Sequence, residues 1–140
     1  MSEAQLINFE LVSPEEKLIS EPVSMATIPG EEGEFGVGAD HCSLVASLKP
    51  GVVKLIDAAG TERKIFITGG FADVTGQLCT ILAEEAEDVA GMDEAALESK
   101  LGDLVEDLEL AQEAVDKKRI QKQIDLTKAR LSAVKGYIVL

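Results

Sequence analysis

The chain has 140 residues, an apolar fraction of 46% and a net charge of −13, which suits one domain or a modest domain with an appendage. No apolar run approaches the roughly 20 residues that a membrane-spanning helix requires. The strong negative charge argues against nucleic acid or anionic lipid as a partner. The first residues show no secretory signal or transit peptide, which favours a bacterial chain, although a processed organellar chain would look the same.

The two cysteines, Cys42 and Cys79, are expected to be buried thiols, because nothing in the sequence indicates an oxidising compartment. A disulfide between them is the alternative. One histidine and two separated cysteines do not make a ligand set, so no metal site is predicted.

The first part of the chain has the pattern of a β-sheet. Residues 4–12 alternate apolar and polar side chains, with Ile7, Phe9 and Leu11 on one face. Further extended segments are predicted at residues 17–28, 44–48, 51–57, 63–68, 71–74 and 78–83. Short strands separated by glycine-rich turns are typical of an all-β sandwich or barrel.

A glycine-rich stretch interrupts the strands, with glycines at 30, 33, 36 and 38. It is predicted to be a tightly turned β region that presents Glu34 and His41 at the surface. Pro29 and Pro50 flank it and are not expected in a central strand. A phosphate-binding loop is not favoured, since acidic residues lie between the glycines and neither a P-loop nor a complete GxGxxG motif is present.

The last part of the chain has helical periodicity. One apolar face comprises Leu97, Leu101, Leu104, Leu108, Ala111 and Val115, and a second comprises Ile120, Ile124, Thr127, Leu131 and Val134. The phase changes near Asp116, which predicts a turn between two antiparallel helices, with one bent helix as the alternative. Asp93 is the expected N-cap and Gly136 the expected C-cap. The apolar tail Tyr137–Leu140 requires a partner or is disordered.

These patterns predict a β domain over residues 1–86, a linker over 87–92 and a helical hairpin over 93–140. The charge follows the same division. Residues 116–140 carry +5 and the rest of the chain −18. The basic segment therefore suits an acidic protein surface.

Three motifs carry a family resemblance. They are Gly33-Glu34-Phe35-Gly36-Val37 with His41 and Leu48-Lys49-Pro50-Gly51, then Gly69-Gly70-Phe71-Ala72-Asp73-Val74, then Thr80-Ile81-Leu82-Ala83-Glu84. In this order and spacing they resemble the epsilon chain of F-type rotary ATP synthases over most of residues 4–93. One departure is His41-Cys42-Ser43-Leu44, where the family usually has His-x-Pro-Leu.

The resemblance implies a flattened N-terminal β-sandwich followed by an antiparallel helical hairpin. It also implies a non-catalytic rotor subunit that links the gamma subunit to the c-ring and couples proton flow to ATP synthesis. By position in the motif, Glu34 and His41 match family residues that face the polar c-ring loops. The expected location is peripheral, on the cytoplasmic face of the bacterial inner membrane.

In the family, the hairpin can extend along gamma and inhibit ATP hydrolysis. The candidate contacts with the catalytic beta and alpha subunits are the basic residues Lys117, Lys118, Arg119, Lys122, Lys128 and Arg130. Alternatively, this charge run is a solvated helix face.

Some family members bind ATP through an Ile/Leu-Asp-x-x-Arg-Ala motif. Residues 92–97 match its position, but Ala96 replaces the arginine, so nucleotide binding is predicted to be weak or absent and no cofactor is expected.

No catalytic motif is present, because neither G-x-S-x-G nor H-E-x-x-H occurs. His41 and Cys42 are adjacent, and adjacent side chains in a strand point to opposite faces, so the two are poorly placed to form a catalytic dyad. The alternatives to a rotor subunit are a β-sandwich binding module with a helical docking hairpin unrelated to rotation, and an unrecognised small enzyme.

Overall fold

A computed structural model of the chain describes residues 5–39 and 42–139 and contains two compact units, which meet in sequence between Asp88 and Val89. Among the described residues, the first unit contains nine strands. They are β1 Ile7–Val12, β2 Lys17–Gly30, β3 Gly33–Val37, β4 Leu44–Leu48, β5 Gly51–Asp57, β6 Glu62–Ile67, β7 Gly70–Val74, β8 Leu78–Ala83 and β9 Ala86–Asp88. The predicted all-β class of this region is confirmed.

The strands form a flattened β-sandwich in which β2 has four neighbours. The order is β1-β8-β7-β4-β2-β5-β6-β9, and β3 pairs with β2. Because β1 also pairs with β2, the sheet returns on itself and encloses one core. The pairing of β1 with β8 is parallel, and it aligns Phe9 with Cys79.

The core of the sandwich is mostly aliphatic. The alternation in β1 buries Ile7, Phe9 and Leu11, as its pattern predicts. Cys79 lies in the same core, but Cys42 is exposed and the two form no disulfide. The expectation of two buried thiols is therefore wrong for Cys42.

Pro29 lies inside β2, contrary to the expectation that it would not occur in a central strand. The pairing of β2 with β5 ends at Thr27 and its pairing with β4 is at Gly30, so Pro29 lies where β2 changes neighbours. The Pro29 carbonyl still accepts a hydrogen bond from the Lys49 N–H at 3.0 Å.

The second unit is a helical hairpin, α1 Glu94–Leu110 and α2 Ala114–Lys135, preceded by a 3-10 turn at Val89–Gly91. Both predicted caps are confirmed. The Asp93 carboxylate accepts the Ala96 N–H at 3.1 Å, and Gly136 ends α2 with φ at 79°. None of the helices in the described ranges is long and apolar enough to cross a membrane.

The turn of the hairpin lies at residues 111–113, so its predicted position near Asp116 is wrong. Val115 belongs to α2 and is 78% exposed, and it takes no part in the helix–helix interface. That interface consists of Leu104, Ile120 and Ile124, with Leu101, Leu108 and Ala111 packed around them.

Residues 87–92, predicted as the linker, include the end of β9 and the 3-10 turn. The functional boundaries 1–86, 87–92 and 93–140 remain predictions.

Candidate functional site

The glycine-rich stretch forms a tight turn between β2 and β3. A Cβ on Gly30 would lie 2.7 Å from the Gly33 carbonyl oxygen, and Gly33 has φ at 137°, so the turn depends on both glycines. The Glu31 N–H donates to the Ser47 carbonyl at 2.9 Å, which ties the turn to β4. The result is a fixed turn at one end of the sandwich.

This turn presents three carboxylates. Glu31 and Glu32 occupy the turn itself, and Glu34 lies on β3 opposite Pro29; all three are exposed. A groove beside them is lined by Phe35 and by β4 residues from Leu44 to Ser47. His41, the second predicted contact residue, lies outside the described residues.

The outer face of β4, β7 and β8 carries apolar side chains that the sequence analysis did not identify. Val45 is 75% exposed, Phe71 55% and Leu82 47%. Phe71 is directly opposite Leu82, and Leu82 is opposite Val12 of β1. We call Val12, Val45, Phe71 and Leu82 the apolar face.

A signal for this face exists in the sequence. Leu82 breaks the alternation of apolar and polar residues, because it is an apolar residue on the exposed face between the buried residues Ile81 and Ala83. Apolar residues on both faces are typical of a strand that is covered on both sides.

The six predicted inhibitory residues all lie on α2 but do not form one stripe. Lys117, Lys118, Arg119 and Lys122 are exposed near the turn, whereas Lys128 and Arg130 are half-buried. Lys118, Arg119 and Lys122 are on the side of the helix opposite the buried Ile120 and Ile124. Arg119 also pairs with Asp116 within its own helix at 3.6 Å. The structure therefore brings three of the six onto one solvent-facing side.

The segment that matches the nucleotide motif is used for helix capping. The Asp93 carboxylate is occupied by the Ala96 N–H, and Ala96 itself is exposed and has no charge to offer a phosphate. In residues 5–39 and 42–139, no three His, Cys, Asp or Glu side chains are placed to hold a metal ion.

The chain is similar to known proteins over almost its whole length. Residues 6–89 match the family described as ATP synthase, Delta/Epsilon chain, beta-sandwich domain. The ATP synthase epsilon chain of Rhodospirillum centenum is 40% identical over 136 residues, which cover 94% of this chain and 93% of that one. The ATP synthase epsilon chain of Rhodospirillum rubrum is 39% identical over 133 residues, covering 95% and 99%.

Solved structures show the same fold. A chain of the Euglena gracilis mitochondrial ATP synthase (OSCP/F1/c-ring) superposes with a TM-score of 0.79 at 32% identity, covering 96% of this chain and 82% of that one. A chain of the Tetrahymena thermophila mitochondrial ATP synthase central stalk and c-ring superposes with a TM-score of 0.63 at 14% identity, covering 95% and 99%. At that identity the second likeness concerns the fold alone.

The sandwich thus defines the class as a delta/epsilon-type β-sandwich protein. Since the epsilon-chain relatives also align with the helical hairpin, nearly end to end, the chain belongs to the epsilon-chain family of F-type ATP synthases. This family membership does not favour the alternative that the chain is a β-sandwich binding module unrelated to rotation.

Proposed function

We propose that this chain is a non-catalytic rotor subunit of a proton-translocating ATP synthase, where it links gamma to the c-ring and couples proton flow to ATP synthesis. The observation that carries the proposal is the near full-length similarity to epsilon chains, which includes both the sandwich and the hairpin. The superposition on a chain of an assembled ATP synthase supports it.

The apolar face is the proposed contact with gamma. Phe71 and Leu82 form an exposed cross-strand pair, and Val45 extends the same surface. Aromatic side chains such as Phe are enriched in protein interfaces, and the fully buried core of an interface is more apolar than the rest of the surface. A gamma surface with apolar side chains would cover the face and exclude water from it.

The turn between β2 and β3 is the proposed contact with the c-ring. Glu34, with Glu31 and Glu32 beside it, offers carboxylates on a fixed turn to the polar loops of the ring. His41 is assigned to the same contact by its position in the family motif. Charged contacts at the rim of an interface govern orientation and association rate more than affinity.

The hairpin is the proposed brake on ATP hydrolysis. Lys118, Arg119 and Lys122 are the leading contacts with acidic surfaces of the catalytic beta and alpha subunits, because they are exposed on one side of α2. Lys117, Lys128 and Arg130 are candidates for supporting contacts. The location proposed for the chain is peripheral, on the cytoplasmic face of a bacterial inner membrane.

The test uses membrane vesicles that carry the ATP synthase stripped of this subunit. The full chain, a truncation ending at Gly91, and a Phe71→Ala/Leu82→Ala variant are added back, and proton pumping and ATP hydrolysis are followed. We expect the full chain and the truncation to restore coupled pumping and the full chain alone to slow hydrolysis. The double variant should require at least about fivefold more protein to restore pumping.

Matched variants separate the three surfaces. Glu34→Gln should lower pumping at saturating protein, while Lys118→Gln/Arg119→Gln/Lys122→Gln should relieve the slowing of hydrolysis and leave pumping intact. Lys17→Gln, at an exposed lysine on β2, serves as the charge control. Failure of the full chain to bind or to restore coupling would remove the rotor proposal, whereas unchanged hydrolysis with intact pumping would remove the brake alone.

A further inference from the structure

Lys135 connects the two helix ends that lie opposite the turn of the hairpin, the start of α1 and the end of α2. It is the last residue of α2, and its ammonium lies 2.8 Å from the Glu98 carboxylate and 3.4 Å from the Glu94 carboxylate. Glu94 is the first residue of α1, and Glu98 follows one turn later. A single cation therefore bridges the start of one helix and the end of the other.

The cluster of Leu104, Ile120 and Ile124 lies nearer the turn, although Leu131 and Ala133 in the last turns of α2 are also buried. Within α1, which is described throughout, Leu104 is the buried residue, and Leu101 near the middle of the helix and Leu108 near the turn pack beside it. Of residues 94–100, Leu97 alone is half-buried and the others are exposed. Few side chains in the first two turns of α1 are buried, so ionic contacts contribute a larger share of the local stability there.

The lysine of the bridge is mostly shielded from solvent and lies close to both carboxylates. The Lys135 side chain is 20% exposed, although its two partners remain about half exposed. The hydrogen bond to Glu98, with the nearby charge of Glu94, raises the pKa of Lys135 above its ordinary value despite an opposing effect of desolvation. The lysine thus stays charged across the physiological range.

We propose that Lys135 is a latch that holds the first two turns of α1 against the end of α2, and that opening of the hairpin begins with its release. The latch is a property of the hairpin and is independent of whether the hairpin acts as a brake. Release would free the start of α1 while the cluster of Leu104, Ile120 and Ile124 is still intact.

Amide hydrogen exchange of the full-length chain, resolved by NMR, tests the latch. The amides of residues 97–100 report opening of α1, since the Leu97 N–H already bonds the Asp93 carbonyl at 3.1 Å. Lys135→Gln should speed their exchange about two- to fivefold, the range expected for well-placed ion pairs. Lys135→Arg should keep the wild-type rate, and so should Lys122→Gln, which removes the same charge elsewhere on α2.

A double-mutant cycle sharpens the test. Glu94→Gln/Glu98→Gln should match Lys135→Gln, and the triple variant should be no faster than either, because all three remove one interaction. Raising NaCl from 0.05 M to 0.5 M should speed exchange in the wild type and leave Lys135→Gln nearly unchanged.

Two results would overturn the latch. If Lys135→Gln speeds exchange in the last turn of α2 alone, the lysine acts only on the dipole of its own helix. If Lys122→Gln speeds exchange at residues 97–100 as much as Lys135→Gln does, the effect belongs to net charge and not to the bridge.

Discussion

The α-carbon of Gly70 lies against the main-chain carbonyl oxygen of Leu82, so that a methyl group on Gly70 would overlap that oxygen. Gly70 also has φ at 148°, a conformation that other residues rarely adopt. In the antiparallel pairing of β7 with β8, Gly70 is opposite Ala83 and Phe71 is opposite Leu82. A residue with a side chain would not fit at Gly70, so the pairing that forms part of the apolar face depends on this glycine.

Replacement of Gly70 should destabilise the sandwich severely. Gly70→Ala combines a steric clash with backbone strain, and we expect a loss of about 3 kcal/mol or more in the free energy of unfolding. Gly76→Ala is the matched control, because a Cβ there meets no atom within 4 Å and no positive φ is required. Urea titration measures both, and a difference below about 1 kcal/mol between them would contradict the role assigned to Gly70.

Replacement of Gly102, the glycine inside α1, should have the opposite effect on stability. A Cβ on Gly102 would enter open space, so Gly102→Ala should stabilise the hairpin by up to about 1 kcal/mol through helix propensity. The same substitution at Gly136 should destabilise it, since that residue caps α2 in the left-handed conformation. Thermal unfolding followed by circular dichroism at 222 nm distinguishes the two signs. Destabilisation by Gly102→Ala would show that the glycine has a packing role.

The two cysteines should react very differently. Iodoacetamide at pH 8 should modify the exposed Cys42 in the native chain and leave Cys79, which is in the core, unmodified until urea unfolds the protein. Mass spectrometry of the native and unfolded samples should give one and two adducts. Two adducts in the native sample would mean that the sandwich opens readily around β8.

The pKa of Cys79 adds a pH dependence to stability. Burial raises it to about 12 from an ordinary value of 9.0, because the core disfavours the thiolate. The folded state thus holds its proton more tightly than the unfolded state, so this stabilising contribution is complete below pH 9 and is lost as the pH rises towards 12. Cys79→Ala should show a shallower loss of stability than the wild type between pH 9 and pH 11.

ATP should not bind the isolated chain appreciably. Asp93 is occupied as a helix cap, and Ala96 stands where the nucleotide motif has an arginine. We expect 2 mM ATP to leave the thermal midpoint unchanged within about 1 °C, since an excess of ligand over its dissociation constant is needed to raise it. A clear shift would show that other residues supply the phosphate contact, and Ala96→Arg tests whether the missing charge is the cause.

Most of the architecture could be predicted from local patterns. Alternation in β1 identifies its buried face, and the glycines at 30, 33 and 69 mark real turns. The cap at Asp93 follows from its carboxylate, and the cap at Gly136 follows from the freedom of glycine to adopt the left-handed conformation.

The remaining features depend on tertiary context. The hairpin turn at residues 111–113 contains neither glycine nor proline, so its position could not be read from composition. Strand β9 is acidic and short, and it is extended because it pairs with β6. Pro29 fits inside β2 because that strand changes neighbours along its length, which no local pattern reveals. The exposure of Phe71 likewise depends on the pairing of β7 with β4 and β8, which no local pattern reveals.

The parallel pairing of β1 with β8 has a consequence for synthesis on the ribosome. Asn8 is paired with Leu78, so the second neighbour of the first strand is made 70 residues later. At typical rates of elongation this delay is roughly 4 to 14 s. During that interval β2 is available to β1, but the edge that β8 will cover is unprotected. The nascent chain must therefore wait with one open strand edge before the sandwich can close.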